Sequence, residues 1–384
     1  MKTYDVAVVG LGAMGAAALY QLSKQNINVI GIDKYSPPHA YGSSTGETRV
    51  TRQAIGEGIF YTPMVLRANE IWAELEAASG RELYDHSGML IAAHEEQQFL
   101  QNTLQAANKY HIQHEIFDGK EAERRFPALD FSEKEHTFYY EPTSGYLRPE
   151  VCIDVELKLA KSNGAELLLN TEVASIQETT QGVEITLDDE QIMAQKVIVA
   201  SGPWVKEMLP ETLGPILKTL LQTLYWFDID PAYYEQLKLG SFPVFLCGGD
   251  KSQITRSFYG FPIIGGPNDG MKFAVHETTK EVRPADKDTA SPVTSAQEIY
   301  RFISRYVRGL QPNSVKSVNC LYTVTPDKNF IIDFVPDSKR MVVVSACSGH
   351  GFKHSAAVGE MAGELILGRK TILDNSPFAL SRFN

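Results

Sequence analysis

The chain has 384 residues, enough for two or three domain-sized units with a real core. It is 43% hydrophobic and 22% charged, ordinary for a soluble globular protein. A formal net charge of -11 argues against a nucleic-acid surface, which wants clustered Lys and Arg, and no stretch reaches the ~18 apolar residues of a membrane span.

Residues 4–9, YDVAVV, read as a strand buried on both faces. GLGAMG follows, then AAALYQLSKQN as a helix and INVIGIDK as a second buried strand, which makes one βαβ unit. Gly10, Gly12 and Gly15 give G-x-G-x-x-G between strand and helix. The first glycine suits a tight turn, the second the approach of a pyrophosphate, and the third close helix–strand packing. The helix N-terminus offers free N–H groups and the positive end of a dipole. Asp33, ending the second strand, can accept hydrogen bonds from a ribose. Together these features predict a dinucleotide site, and an acid at this position favours FAD or NAD over NADP. The apolar start runs straight into the glycine turn with no small-residue cleavage site, so a signal peptide is not expected.

Residues 42–58, GSSTGETRVTRQAIGEG, place Arg49 and Arg52 three apart in a glycine-rich setting. The planar fork of an arginine suits a substrate carboxylate. That role is expected of Arg52, and a place near the cofactor of Arg49. Residues 63–80 read as a helix ending at a glycine cap. From 148 to 200 the α/β pattern returns, whereas 215–315 alternates more and reads as mostly antiparallel sheet with a helix near 294–308. MVVVSAC is a buried strand, CSGHGFKHS a turn, and AAVGEMAGELILG a helix. Gly349 and Gly351 could present N–H groups to an isoalloxazine carbonyl, and Lys353 a second positive charge to an anion. The segments around 54–62 and 240–258 are long enough to act as lids.

Cys152, Cys247, Cys320 and Cys347 form no C-x-x-C pair and lie far apart, so reduced thiols in a cytoplasmic protein are expected, without a metal or disulfide framework. Cys320 raises a separate question, because it stands between a polar run and an aromatic in SVNCLYTVTPD.

These motifs, with FYGFPIIGG, NFIID and the closing SPFALSRFN, resemble the monomeric sarcosine oxidase and N-methyltryptophan oxidase family of FAD-dependent amine oxidases, essentially end to end. The resemblance implies an α/β (α+β) fold: a Rossmann-like FAD-binding domain of the glucose-methanol-choline/D-amino-acid-oxidase type, interrupted by an antiparallel-sheet substrate domain. The expected division is 1–85, 148–212 and 320–384 for FAD, and 86–147 and 213–319 for substrate. It implies FAD held covalently by Cys320 through the flavin 8α-methyl. It implies cofactor contacts at Gly10, Gly12, Ala13, Met14, Gly15, Asp33, Lys34, Ser43, Arg49, Val173, Gly202, Trp204, Gly349, Gly351, Phe352 and Lys353. Arg52 and Lys353 would bind the substrate carboxylate, Lys272 would activate oxygen, and Tyr259, His276 and Tyr322 would line the substrate side. His276 could tune or position substrate, since an unperturbed imidazole pKa of about 6.5 lies near working pH. The family typically carries two histidines where this chain has Ser44 and Thr45, and a histidine there helps flavin attachment.

The expected reaction is oxidation of the secondary amine of an N-methyl amino acid by O2, giving amino acid, formaldehyde and H2O2, in a monomer that needs no nucleic acid or membrane. Glycated (fructosyl) amino acids or a cyclic imino acid are alternative substrates. A flavin-binding protein without amine turnover is the alternative from another class.

Overall fold

The computed structural model describes residues 2–131, 133–188, 190–248, 257–276 and 279–383. The first strand, Lys2–Val9, lies between two parallel neighbours, Val29–Ile32 and Gln191–Val199. Gly10 turns the chain at φ 88°, and a Cβ there would meet the Cα of Ser201 at 2.6 Å. The helix Ala13–Ser23 follows. It can lie so close because a Cβ at Gly15 would stand 1.7 Å from the carbonyl oxygen of Gly10. The reading of one βαβ unit at the start therefore holds.

This first sheet runs Val173–Glu178, Val183–Leu187, Gln191–Val199, Lys2–Val9, Val29–Ile32, Glu166–Leu168. Met341–Ser345 joins the far half of Gln191–Val199 in parallel, and Ile331–Phe334 pairs with it in antiparallel. Three helices cover one face: Ala13–Ser23, Pro149–Ser162 and Ser355–Ile366. The last packs on the first through Gly359, where a Cβ would stand 2.4 Å from the backbone of Ala17.

The second sheet runs Leu310–Val324, Lys218–Ile229, Met271–Val275, Ser257–Gly260, Val244–Gly248, Met89–Ala93, Thr137–Glu141, Glu115–Asp118. Every pairing is antiparallel except Val244–Gly248 with Met89–Ala93. The helix expected near 294–308 is Ala296–Ile303, started by a capping box of Ser295 and Glu298. A three-stranded sheet, Arg49–Thr51, Gly145–Leu147 and Tyr84–Asp85, completes the scaffold.

Both flanks of the 240–258 segment, read as long enough to act as a lid, are sheet. Val244–Gly248 and Ser257–Gly260 are paired sheet strands, and 249–256 lie outside the described residues. Backbone groups of these two strands satisfy one another in an antiparallel pair. Within 54–62 the chain makes a 3-10 turn, Ile59–Tyr61, leading into the helix Thr62–Ser79.

Candidate active site

A cavity of about 1410 Å³ runs from the first glycine loop to the second sheet. That exceeds the ~300–1,000 Å³ of a typical small-molecule pocket, so it suits a large cofactor together with a substrate. At one end lie Gly10, Gly12, Ala13, Met14, Asp33, Lys34, Val173, Gly202 and Trp204. The helix Ala13–Ser23 makes its first internal bond from the Ala16 N–H to the Gly12 carbonyl. The N–H groups of Ala13, Met14 and Gly15 therefore have no partner in the helix, and no side chain caps them. Asp33 uses its oxygens on backbone: Oδ2 accepts from the Leu11 N–H at 2.7 Å and Oδ1 from the Tyr35 N–H at 2.8 Å. It thus pins the glycine loop as well as facing the cavity. Lys34 pairs with Glu172 at 2.7 Å.

The far end gathers charge. Arg49, Arg52, Glu57, Tyr259, His276, Tyr322, Gly349, Gly351, Phe352 and Lys353 all line it. Arg52 is 3% exposed and forms an ion pair with Glu57. Its guanidinium also lies over the Phe99 ring, 5.1 Å from the centroid. Burial opposes ionisation of Glu57, but Arg52, Lys353 and His350 outweigh it and hold the carboxyl well below the usual carboxylate range. Lys353 donates to the His350 carbonyl at 2.6 Å. Burial pulls Lys353 down to about 7, against the pull of Glu57. The Tyr259 and Tyr322 hydroxyls stand 3.4 Å apart, and burial pushes both phenols up.

His276 departs from expectation. Burial pushes it down to about 4, so near neutral pH it is an uncharged ring with one donor and one acceptor, not a titrating group.

Three residues expected at the site stand behind the cavity wall rather than on it: Gly15, Lys272 and Cys320. Lys272 is 3% exposed. Its ammonium donates to the Gly46 carbonyl, to the Thr48 carbonyl at 3.0 Å and to Thr48 Oγ1 at 2.9 Å. It also lies over the rings of Phe261 and Trp226 at 4.7 and 5.3 Å. Burial, then Arg49, pulls it well below the ordinary lysine value. Three acceptors match the three protons of the charged form, and two aromatic faces favour it as well. Cys320 is 1% exposed in the strand Leu310–Val324. Its Sγ lies 3.8 Å from Arg49 Nη2 and 3.5 Å from the Ser43 carbonyl, both of residues that line the cavity. Cys152 and Cys247 are buried, on the expected helix and strand, while Cys347 lines the cavity and burial pushes its thiol up.

Sequence reasoning passed over several groups. Glu57 and Thr48 lie inside the quoted 42–58 stretch without an assigned role. Glu141 and Glu150 hold that stretch from a different part of the chain, and nothing in EPTSGYLRPE signals it.

The donor set fits FAD. A helix N-terminus with free N–H groups faces the cavity, a Cβ at Gly12 would meet only Ser44 Oγ at 3.9 Å, and the buried Ser43 and Ser201 hydroxyls lack partners among the described residues. The match to known proteins agrees: residues 5–365 fit the model of the FAD dependent oxidoreductases.

The chain belongs to this family. It is an FAD-dependent oxidoreductase, and the resemblance to sarcosine and N-methyltryptophan oxidases stands. It is 33% identical over 383 residues to an N-methyl-L-tryptophan oxidase of Yersinia pestis (strain Pestoides F), covering 99% of each chain. A Yersinia pseudotuberculosis serotype O:1b (strain IP 31758) protein of the same name matches equally, at 33% and 99% of each chain. Among solved structures, NikD, an unusual amino acid oxidase, superposes with TM-score 0.82 at 20% identity, over 99% of this chain and 98% of that one. L-proline dehydrogenase from P. horikoshii superposes with TM-score 0.81 at 20% identity, over 100% and 98%. At that identity the two structures establish the fold alone, and it is the α/β FAD-binding fold with an interrupting sheet that the sequence implied. No helix among the described residues is long and apolar enough to cross a membrane.

Proposed function

We propose that this enzyme oxidises the secondary amine of an N-methyl amino acid, releasing the amino acid and formaldehyde, with O2 reduced to H2O2. The observation that carries the reading is the ion pair of buried Arg52 with Glu57, which opens to the cavity, beside buried Lys353. Arg52 already pairs with one carboxylate, and the charge of Lys353 also favours its ionised form, so a substrate carboxylate that displaces Glu57 meets both cations. The name of the Yersinia relatives points to the same substrate class.

FAD, when held by the glycine loop and the residues around it, would supply the two-electron acceptor that the oxidation of the C–H beside the amine nitrogen needs. The chain's own residues bind, orient and set charge. Arg52 and Lys353 fix the carboxylate end. Tyr259, Tyr322 and neutral His276 line the space for the amine. The cations around them favour the uncharged amine, the form that can be oxidised. Water then hydrolyses the resulting substrate imine. The Lys272 ammonium would stabilise negative charge developing on reduced oxygen. Arg49 places positive charge beside Cys320, which the thiolate of a thioether-forming cysteine requires, so we read Cys320 as the flavin anchor.

The test is anaerobic mixing of the holoenzyme with a panel of amines. An N-methyl amino acid should bleach the bound flavin, while the matching N-methyl amine without a carboxylate should bleach it far more slowly. Bleaching by fructosyl amino acids or cyclic imino acids alone would replace the substrate assignment. No bleaching by any amine would leave a flavin-binding protein without amine turnover.

A further inference from the structure

The cation-bearing segment 46–54 rests on one short stretch of chain. We propose that residues 141–150 are its template, and that Glu141 and Glu150 are positioning residues, Glu141 for Arg52 and Glu150 for Lys272. The inference rests on the reading that Arg52 binds the substrate carboxylate and Lys272 serves oxygen.

At one end, Glu141 has no exposure to solvent. Its Oε1 accepts from the Gln53 N–H at 2.6 Å and from Ser144 Oγ, and its Oε2 from the Ala54 N–H at 3.1 Å and the Tyr139 hydroxyl at 2.7 Å. Gln53 and Ala54 directly follow Arg52, so the carboxylate fixes the backbone from which Arg52 projects. In the middle, Arg49–Thr51 pairs antiparallel with Gly145–Leu147, Arg49 opposite Leu147 and Thr51 opposite Gly145. At the other end, Glu150 Oε1 accepts from the Gly46 N–H at 2.8 Å and the Glu47 N–H at 3.2 Å. Both residues sit in the left-handed region, at φ 102° and 70°, a turn that Glu47 would not adopt unaided. That turn presents the Gly46 and Thr48 carbonyls to the Lys272 ammonium.

An ionised carboxylate is suited to this task because each oxygen takes two donors at once, and charge-assisted bonds to backbone N–H are roughly twice as strong as neutral ones. At Glu141 an amide turns one acceptor into a donor facing an N–H, and at Glu150, where one oxygen takes both N–H groups, it removes the charge that strengthens them. Strand pairing alone would set the register of the segment. The two carboxylates set the turn at each end, where the two cations are held.

The test is a crossed measurement on holoenzyme carrying Glu141→Gln or Glu150→Gln. One readout is the affinity for butyrate, a carboxylate that cannot be oxidised, from the change in flavin absorption. The other is reoxidation of photoreduced flavin by O2. Displacing a binding or catalytic group by about 1 Å costs up to roughly a hundredfold, so each variant should lose about tenfold or more in its own readout and less than about twofold in the other. Glu141→Gln should weaken butyrate, and Glu150→Gln should slow reoxidation. Equal shifts in both readouts, or none, overturn the proposal. If a glutamine variant fails to fold, the shorter carboxylates of Glu141→Asp and Glu150→Asp should give the same crossed pattern, and their silence in both readouts overturns it too. Arg52→Met and Lys272→Met separate the two levels. If they leave butyrate affinity and reoxidation unchanged, the roles assigned to these cations fall and the proposal falls with them. If they act as read while the glutamate variants do not, only the template fails.

Discussion

Lys353 carries a titration that can be measured. Burial lowers it to about 7, far under the ordinary lysine value of about 10.4. The free enzyme therefore sheds this proton as pH rises through 7, while a bound carboxylate favours its return. Affinity for a carboxylate inhibitor should fall by up to about tenfold per pH unit above 7, and Lys353→Met should flatten that slope. A wild-type affinity that stays constant from pH 6 to 9 would show that the ammonium takes no part in binding the anion. Glu156 gives a second, independent case. It lies in the helix Pro149–Ser162, fully buried, with neither carboxylate oxygen bonded among the described residues. Burial alone raises its carboxyl well above the usual range. The folded chain thus keeps a proton that the unfolded chain loses near pH 4.3, and stability drains as pH rises above that value, up to the raised folded pKa. Glu156→Met should be more stable than wild type at pH 8, and the gap should narrow toward pH 4. A gap that ignores pH in thermal melts would rule this account out.

Among elements, the helix pair Ala13–Ser23 and Ser355–Ile366 depends on a close approach at Gly359, where a Cβ would press on Ala17 and Ala18 backbone at 2.4–2.6 Å. Gly359→Ala should therefore cost about 1–3 kcal/mol through overpacking, although alanine is the better helix former. A thermal midpoint equal to or above that of wild type would show that the helices can part without cost. Elements of this kind were legible in the sequence because their signals are local. Apolar runs marked Lys2–Val9 and Met341–Ser345, glycine punctuation marked the first turn, and the Gly80 cap ends Thr62–Ser79 in the left-handed conformation. The positions of Arg49 and Arg52 could be read for the same reason. What escaped was non-local. Glu141 meets Gln53 from 88 residues away and Glu150 meets Gly46 from 104, and neither shows a period or motif. The protonation of His276 escaped as well, because burial sets it and burial is a property of the folded whole.

For the molecule as a whole, the cavity joins the two large sheets. The first supplies the glycine loop and Gly349–Lys353, and the second supplies Tyr259, His276 and Tyr322, with Cys320 behind them. A cofactor filling it would touch both, so anchoring can be read from bulk behaviour. In acid precipitation the yellow colour should stay with the protein, and Cys320→Ser should release it to the supernatant. Release from the wild type would mean that the chain, with Ser44 and Thr45 at the two positions that are usually histidine, holds its flavin without a bond.

The single parallel pairing of Val244–Gly248 with Met89–Ala93 bears on how the chain is made. The early strands Met89–Ala93, Glu115–Asp118 and Thr137–Glu141 meet the rest of their sheet only through a partner more than 150 residues later. The strand Met341–Ser345 and the loop that ends at Lys353 come later still. At ~5–20 residues per second, a ribosome needs roughly 12–50 s to make 248 residues, and until then the edge of Met89–Ala93 has no partner. The cavity takes its lining from Val9 to Lys353, so the full set of groups that would hold flavin exists only once the chain has been made as far as Lys353.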